Sequence, residues 1–334
     1  SLSAEFSVAF SFLFSLLTLI GVVGNTLVIV AISADSKMRK CVMNILLLNL
    51  AVADLSNVVV AVAEWSPAVF LGAPKWILPD LLCPVARYFE CVFLFTSIST
   101  QLIVCLERFI ATTQPMRARS LCSRSSAIKA VTVAWLASGL FALPYAATHA
   151  VRAGHCTNLY GARNWWMRYK LAEFLLYFLL PCTVIMMVYS RVAAVLWDNS
   201  NPTLKSESSH IVQETSLRRL ATRRNVVKML VACATVYFVC YAPIQALFIS
   251  RVVFDVRISP PYATILLLNA LAVTCSASNP LLYALFSTRF RRRLRTLLAP
   301  SCKRGGEKTK YDSLPGTVQH SLPFLSASAQ NYSS

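Results

Sequence analysis

Charge is scarce in this sequence. Only 14% of its 334 residues are Asp, Glu, Lys or Arg, against about a quarter in an ordinary soluble domain, and that excludes the soluble globular class. Acid is scarcer than base, 14 residues against 32. A cluster of soluble metal ligands is missing too, because His149, His155, His210 and His320 are scattered over different loops. The chain has no phosphate-binding glycine loop, no nucleophile motif and no internal repeat of the transporter kind. An enzyme therefore finds no chemistry to rest on, and a transporter no repeat.

Apolar residues are abundant, at 56%. They gather in windows near 8–32, 42–65, 84–106, 127–147, 171–197, 226–250 and 262–286, each long enough to cross a hydrocarbon core of about 30 Å as a helix. The expected fold is all-α, a seven-transmembrane helix bundle. After the seventh window, FSTRFRRRLRTLL interleaves Phe290, Leu294, Leu297 and Leu298 with arginines, the pattern of an amphipathic helix lying on the membrane surface. The expected divisions are an outer segment 1–7, a seven-helix bundle 8–286, the amphipathic helix 287–299 and a Ser/Gly-rich disordered tail 300–334. The chain opens on Ser1 without an initiator Met or signal-peptide pattern, and a further outer segment ahead of it is expected.

The net charge of +18 would suggest nucleic acid in a soluble chain, but here position decides. Basic residues crowd the loops after windows one and three (Lys37, Arg39, Lys40; Arg117, Arg119, Arg124, Lys129), before window six (Lys205, Arg218, Arg219, Arg223, Arg224, Lys228) and after window seven. The opposite side has fewer: Lys75, Arg87, Arg152, Arg163, Arg168, Lys170, Arg251 and Arg257. The positive-inside rule places the N-terminus outside and the C-terminus in the cytoplasm. Anionic membrane lipids then become the partner of the basic loops, and nucleic acid is excluded.

Of the 11 cysteines, Cys91, Cys105, Cys182, Cys233, Cys240 and Cys275 fall inside apolar windows, where Cys acts as a small hydrophobe. Cys83 and Cys156 face the oxidising side and are expected to form one disulfide. Cys302, just past the amphipathic helix, is a candidate for S-palmitoylation.

Polar residues inside the windows mark sites. Asn25 reads as interhelical glue, Asp54 as a cation or proton site, and W-S-P at 65–67 as a kink or helix end. Window four is expected to end near Pro144 and window five to be interrupted by Pro181. The linker 198–217 reads as flexible, and Pro243 as a hinge. In window three, Glu90, Ser97 and Arg108 share one helical stripe, with Glu90 and Arg108 roughly 27 Å apart.

Taken together, GN at 24–25, NLAVADL at 49–55, Cys83 and E-R-F at 107–109, Trp135, Pro181, CYAP at 240–243 and NPLLY at 279–283 resemble the rhodopsin-like (class A) G-protein-coupled receptors, over residues from about 8 to 302. The resemblance implies a plasma-membrane receptor that activates a heterotrimeric G protein and meets arrestin and receptor kinases. It implies switch roles for Glu107, Arg108, Tyr189, Tyr237, Tyr241, Pro243, Asn279, Pro280 and Tyr283. It also implies a sodium site at Asp54, Ser97, Ser276 and Asn279, the ion being an allosteric modulator and no other cofactor being required. The chain departs from the family at Tyr241, where Trp is usual, at Tyr237, where Phe is usual, and at Phe109, where Tyr is usual. Arg223 stands where some members carry an acid that locks the arginine, which implies raised ligand-independent signalling.

Glu64, Glu90 and Glu173 lie on the outer half, and three carboxylates around one cavity favour a cationic ligand unless Arg87 or Lys170 neutralises them internally. The mixed charge of Arg87, Lys170, Arg251 and Arg257 suits an extended peptide, a neuropeptide or peptide hormone. Residues 107–123 also resemble the corresponding stretch in receptors for thyrotropin-releasing hormone, ghrelin and ecdysis-triggering hormone. The expected ligand site draws on Glu64, Trp65, Arg87, Glu90, Glu173, Tyr241, Gln245, Phe248 and Asn269. The alternative is a biogenic amine receptor with Glu90 as counter-ion. An opsin is excluded, since residues 260–286 contain no lysine for a Schiff base.

Overall fold

The computed structural model describes residues 4–72, 75–161, 163–198, 210–254, 260–286 and 288–298. Seven helices are long and apolar enough to cross a membrane: Glu5–Ser33, Val42–Leu71, Leu82–Thr113, Arg124–Thr148, Asn164–Val192, Val227–Ser250 and Tyr262–Phe286, called spans one to seven below. They pack as an antiparallel bundle in which span three touches spans two, four, five and six. Large apolar side chains such as Phe12, Leu140, Met186 and Val239 point outward, as a lipid-facing surface requires.

Several boundaries differ from the sequence reading. Span one starts by Glu5, inside the segment assigned to an outer terminus. Span two passes through W-S-P without ending and stops at Leu71, where Gly72 adopts φ +64° and closes the helix with an N–H to the Val69 carbonyl. Only a residue without Cβ takes that left-handed conformation readily. Span four likewise contains Pro144 and continues to Thr148. The helix of span six begins at His210 rather than near 216, because HIVQETSLRRL holds no Pro or Gly to stop it. Residues 210–217 are therefore helical, not part of a flexible linker. Beyond span seven, a helix covers Thr288–Leu298, with Phe290 buried and Leu294 packed against the core. The expected lipidation at Cys302, the tail 300–334, residues 199–209 and the side chains of Arg223, Arg251 and Arg257 lie outside what the structure describes.

One element was not anticipated. A two-stranded antiparallel hairpin, β1 (His149–Arg152) and β2 (His155–Asn158), follows span four. Ala153 and Gly154 link the strands at φ 50° and 78°, the doubly positive turn that suits the strand twist. Cys156 of β2 forms the expected disulfide with Cys83 at the start of span three. The hairpin is thereby fixed at one end of the bundle, and it supplies part of a cavity wall.

The proline inside span seven frees a backbone carbonyl that span one satisfies. Pro280 cannot bond the Ser276 carbonyl, and Asn25 Nδ2 of span one donates to that oxygen at 3.2 Å. Asn25 is thus the interhelical glue its sequence position implied. Gly24 makes the approach possible, since a Cβ there would come within 2.9 Å of the Pro280 ring. Span five responds to Pro181 with a π-helical stretch, Leu175–Leu179, one turn ahead of it.

Candidate functional site

A cavity of about 600 Å³ opens at the disulfide end of the bundle. Trp65, Arg87, Glu90, Glu173, Tyr241, Gln245, Phe248 and Asn269 line it, which brings together eight of the nine residues named from sequence. Glu64 is the exception. It is buried behind Arg87, whose Nη2 it pairs with, while Arg87 Nη1 reaches Glu90 Oε2 at 3.1 Å. Glu90 sits three residues after Arg87 on the same helix, and Glu64 comes from span two. Two carboxylates therefore share one guanidinium, which also lies 5.2 Å from the Trp65 ring centre.

The opposite wall holds a second ionic group. Lys170 Nζ donates to Glu173 Oε1 at 2.6 Å and to the Tyr145 hydroxyl at 2.8 Å, and the Tyr145 hydroxyl donates to Glu173 Oε2 at 2.6 Å. The Phe248 ring of span six covers the same ammonium at 4.2 Å. All three carboxylates thus have an internal cation. Glu173 is satisfied within its own cluster, whereas Glu90 and Glu64 compete for Arg87.

Sequence reasoning missed Tyr145, His149 and Trp166 in the cavity wall. Their signal was weak: Tyr145 follows a proline inside an apolar window, and His149 begins an unforeseen strand. Burial, then the positive charges of Arg87 and Lys170, pull His149 down from its ordinary 6.5 to about 4, with only a hydrogen bond to the Tyr145 carbonyl opposing them.

Midway along the bundle, Asp54 is fully buried. Its Oδ1 accepts from Ser97 Oγ at 2.8 Å and its Oδ2 from Asn279 Nδ2 at 2.6 Å. Ser276 Oγ lies close by and accepts from Asn57 Nδ2 at 3.3 Å. One carboxylate with two hydroxyls is an all-oxygen set, which suits a hard cation; Asn279 already spends its N–H on Asp54. A neighbouring polar chain ties spans two, three and four: Trp135 Nε1 donates to Asn49 Oδ1 at 2.9 Å and Asn49 Nδ2 to Thr100 Oγ1 at 2.8 Å.

At the other end, Arg108 pairs through Nε and Nη2 with Glu107, its own neighbour in span three. Tyr189 and Tyr283 are both buried and face a narrow interior space with Gln101, Leu230 and Cys233. Between this space and the cavity lie Tyr237 and Tyr241, whose rings are 5.0 Å apart. Both pack into a cluster with Ile98, Cys240 and Cys275.

Known proteins agree with this architecture. The profile of the seven-transmembrane receptors (rhodopsin family) matches residues 24–283. The chain is 52% identical to Neuropeptide receptor 15 of Caenorhabditis elegans over 89% of its own length and 92% of that protein. It is 32% identical to human Galanin receptor type 3 over 87% of this chain and 78% of the other, and 28% identical to the Allatostatin-A receptor of Bombyx mori over 83% and 76%. With seven spans and a matching profile across most of its length, this multi-pass membrane protein belongs to the rhodopsin family of G-protein-coupled receptors.

Proposed function

We propose that this receptor binds an extracellular neuropeptide carrying a cationic group in the cavity at its disulfide end, and passes the signal to a heterotrimeric G protein at the Arg108 end. The disulfide end faces outward in this reading, because the basic loops gather at the opposite end. One observation carries the ligand assignment: Glu90 lines a cavity of about 600 Å³ while sharing Arg87 with Glu64. Arg87 is divided between two carboxylates, so Glu90 can exchange part of its share for a ligand cation. A biogenic amine fits less well. So small a ligand would leave most of the cavity unfilled. The relatives named for neuropeptide, galanin and allatostatin support the peptide reading.

In this mechanism the ligand presses on Tyr241, Gln245 and Phe248 of span six, and Pro243 beside them gives the hinge. Glu107 restrains Arg108 until span six swings out, and Tyr189 and Tyr283 then meet the arginine. A sodium ion held by Asp54, Ser97, Ser276 and Asn279 would supply a positive charge that favours the closed arrangement. Agonist and G protein stabilise the same open form, so each tightens binding of the other. Helix Thr288–Leu298 lies on the inner leaflet, with Cys302 as its lipid anchor, and the tail 300–334 serves receptor kinases and arrestin.

A screen of amidated peptides and biogenic amines on cells expressing the chain identifies the agonist. Glu90→Gln is then expected to weaken a cationic peptide agonist by about tenfold or more, the usual consequence of removing one charge from a desolvated pair. An unchanged dose response would remove Glu90 from the site.

A further inference from the structure

Two stretches at the Arg108 end of the bundle repeat one pattern. Residues 117–121 read Arg-Ala-Arg-Ser-Leu and residues 293–297 read Arg-Leu-Arg-Thr-Leu. In each, a hydroxyl has arginines one and three places before it and a leucine directly after it. Positive-inside charge accounts for the arginines, but it asks for no hydroxyl and no leucine at a fixed place. The two stretches are alike in structure as well. Ser120 lies in the last turn of helix Pro115–Leu121, which follows span three, and Thr296 in the last turn of helix Thr288–Leu298. Both side chains are exposed. Each hydroxyl donates to a carbonyl one turn back, Ser120 to Arg117 and Thr296 to Arg292, both at 3.0 Å.

Hydroxyls in that setting can be reached by an enzyme that needs an extended substrate. The helices have 7 and 11 residues, and helices shorter than about 12 residues are marginal by themselves. Around Ser120, opening the last turn breaks the bond from Cys122 N–H to the Ala118 carbonyl and frees Leu121, which is already 54% exposed. Thr296 stands six residues after the buried Phe290, roughly 120° round the helix from it, and so points away from the packed face. A phosphate on either hydroxyl would add about two negative charges and three acceptor oxygens. At a helix C-terminus that charge opposes the dipole. On Thr296 it also competes for Arg293, whose Nη2 donates to the Ala34 carbonyl at the end of span one at 3.4 Å. A phosphate one turn along the same helix is the stronger acceptor.

We propose that Ser120 and Thr296 are a matched pair of phosphorylation sites for a serine/threonine kinase whose substrate groove is acidic three places before the acceptor and apolar at the place after it. The kinase transfers the γ-phosphoryl group of Mg-ATP: the bond to the β-phosphate breaks, a P–O bond to the hydroxyl oxygen forms, the hydroxyl proton passes to the kinase's base and ADP leaves. Phosphate at Ser120 loosens the helix after span three, and phosphate at Thr296 frees the amphipathic helix from span one. The proposal rests on the orientation given above, which puts both helices on the ATP side of the membrane.

The test needs no receptor ligand. The full chain in lipid nanodiscs, where both faces are open to reagents, is incubated with Mg-ATP and a purified kinase chosen because it phosphorylates a synthetic Arg-Ala-Arg-Ser-Leu peptide, and the sites are read by mass spectrometry. Phosphate is expected at both Ser120 and Thr296. Arg117→Ala is expected to slow transfer to Ser120 by about tenfold or more while sparing Thr296, and Arg293→Ala to do the reverse, the usual cost of removing one charge from a recognition pair. The sign decides at Thr296: if Arg293 were only a tie to span one, its loss would loosen the helix and speed transfer. After phosphorylation, hydrogen exchange of the amides in both helices is expected to quicken by about fivefold, what loss of one net hydrogen bond does to a local opening. A chain carrying Ser120→Ala and Thr296→Val, treated alike, is expected to show no change. Phosphate on neither residue, or on one alone, would overturn the proposal, and so would transfer at an equal rate without the arginines. Unchanged exchange in the phosphorylated chain would overturn the loosening. Phosphate at both residues in nanodiscs but at neither in cells expressing the chain with the active kinase would support the recognition and count instead against the proposed orientation.

Discussion

The two ends of the bundle treat charge in opposite ways. Around the cavity, ions tie different spans together: Arg87 of span three holds Glu64 of span two, and the Lys170–Glu173 pair of span five holds Tyr145 of span four under Phe248 of span six. At the other end, Arg108 pairs with the residue beside it in the same helix, so that pair joins nothing across the bundle. An ion pair restrains motion only between the bodies it connects. The cavity end is stitched, with a disulfide added, while the end assigned to the G protein is left free to open.

The comparison breaks most readily at Arg87. Arg87→Met leaves Glu64 buried without its cation, and thermal unfolding in nanodiscs is expected to report a loss of about 3 kcal/mol, the range for removing one partner of a buried pair. A loss under about 1 kcal/mol would show that the cavity end is not held by charge. Glu107→Gln is expected to cost about 1 kcal/mol or less, because the arginine it releases is partly solvated, yet to raise ligand-free signalling. Equal stability losses at the two sites would erase the distinction between the ends. A further effect is a pH dependence confined to the cavity. Unfolded, His149 takes a proton near 6.5; folded, it does so only at about 4. Its contribution to stability is complete above pH 6.5 and is lost as pH falls through that window toward 4. His149→Gln is expected to flatten the melting temperature between those limits.

Much of this was legible in the sequence because membranes impose simple rules. Twenty-odd apolar residues must be a helix, and two cysteines on the oxidising side must find each other. Asp54, Ser97 and Asn279 met as expected because each sits on the inward stripe of its own span. Other features depended on geometry that no local pattern encodes. The turn Ala153–Gly154 is a weak hairpin signal, and tertiary contacts, among them the disulfide and the bond from Trp76 N–H to the Gly154 carbonyl at 2.7 Å, secure its place. W-S-P at 65–67 read as a kink or helix end and Pro144 as a helix end, yet both helices continue past them, to Leu71 and Thr148. The three outer glutamates looked alike in sequence. Their difference lies in how many carboxylates each cation must serve, which is set by how spans two, three and five face one another.

The π-helical stretch Leu175–Leu179 resets the heading of span five. An extra residue in one turn offsets the two halves of span five by about 100° in azimuth relative to an unbroken helix. Lys170 and Glu173, on one side of the stretch, and Tyr189, on the other, all point inward only because of that offset. The span therefore works as two coaxial segments with separately set headings. A single-residue deletion within 175–179 would keep a membrane-crossing helix while turning either the cavity face or the signalling face toward lipid, which couples ligand recognition and signal output through one turn of backbone.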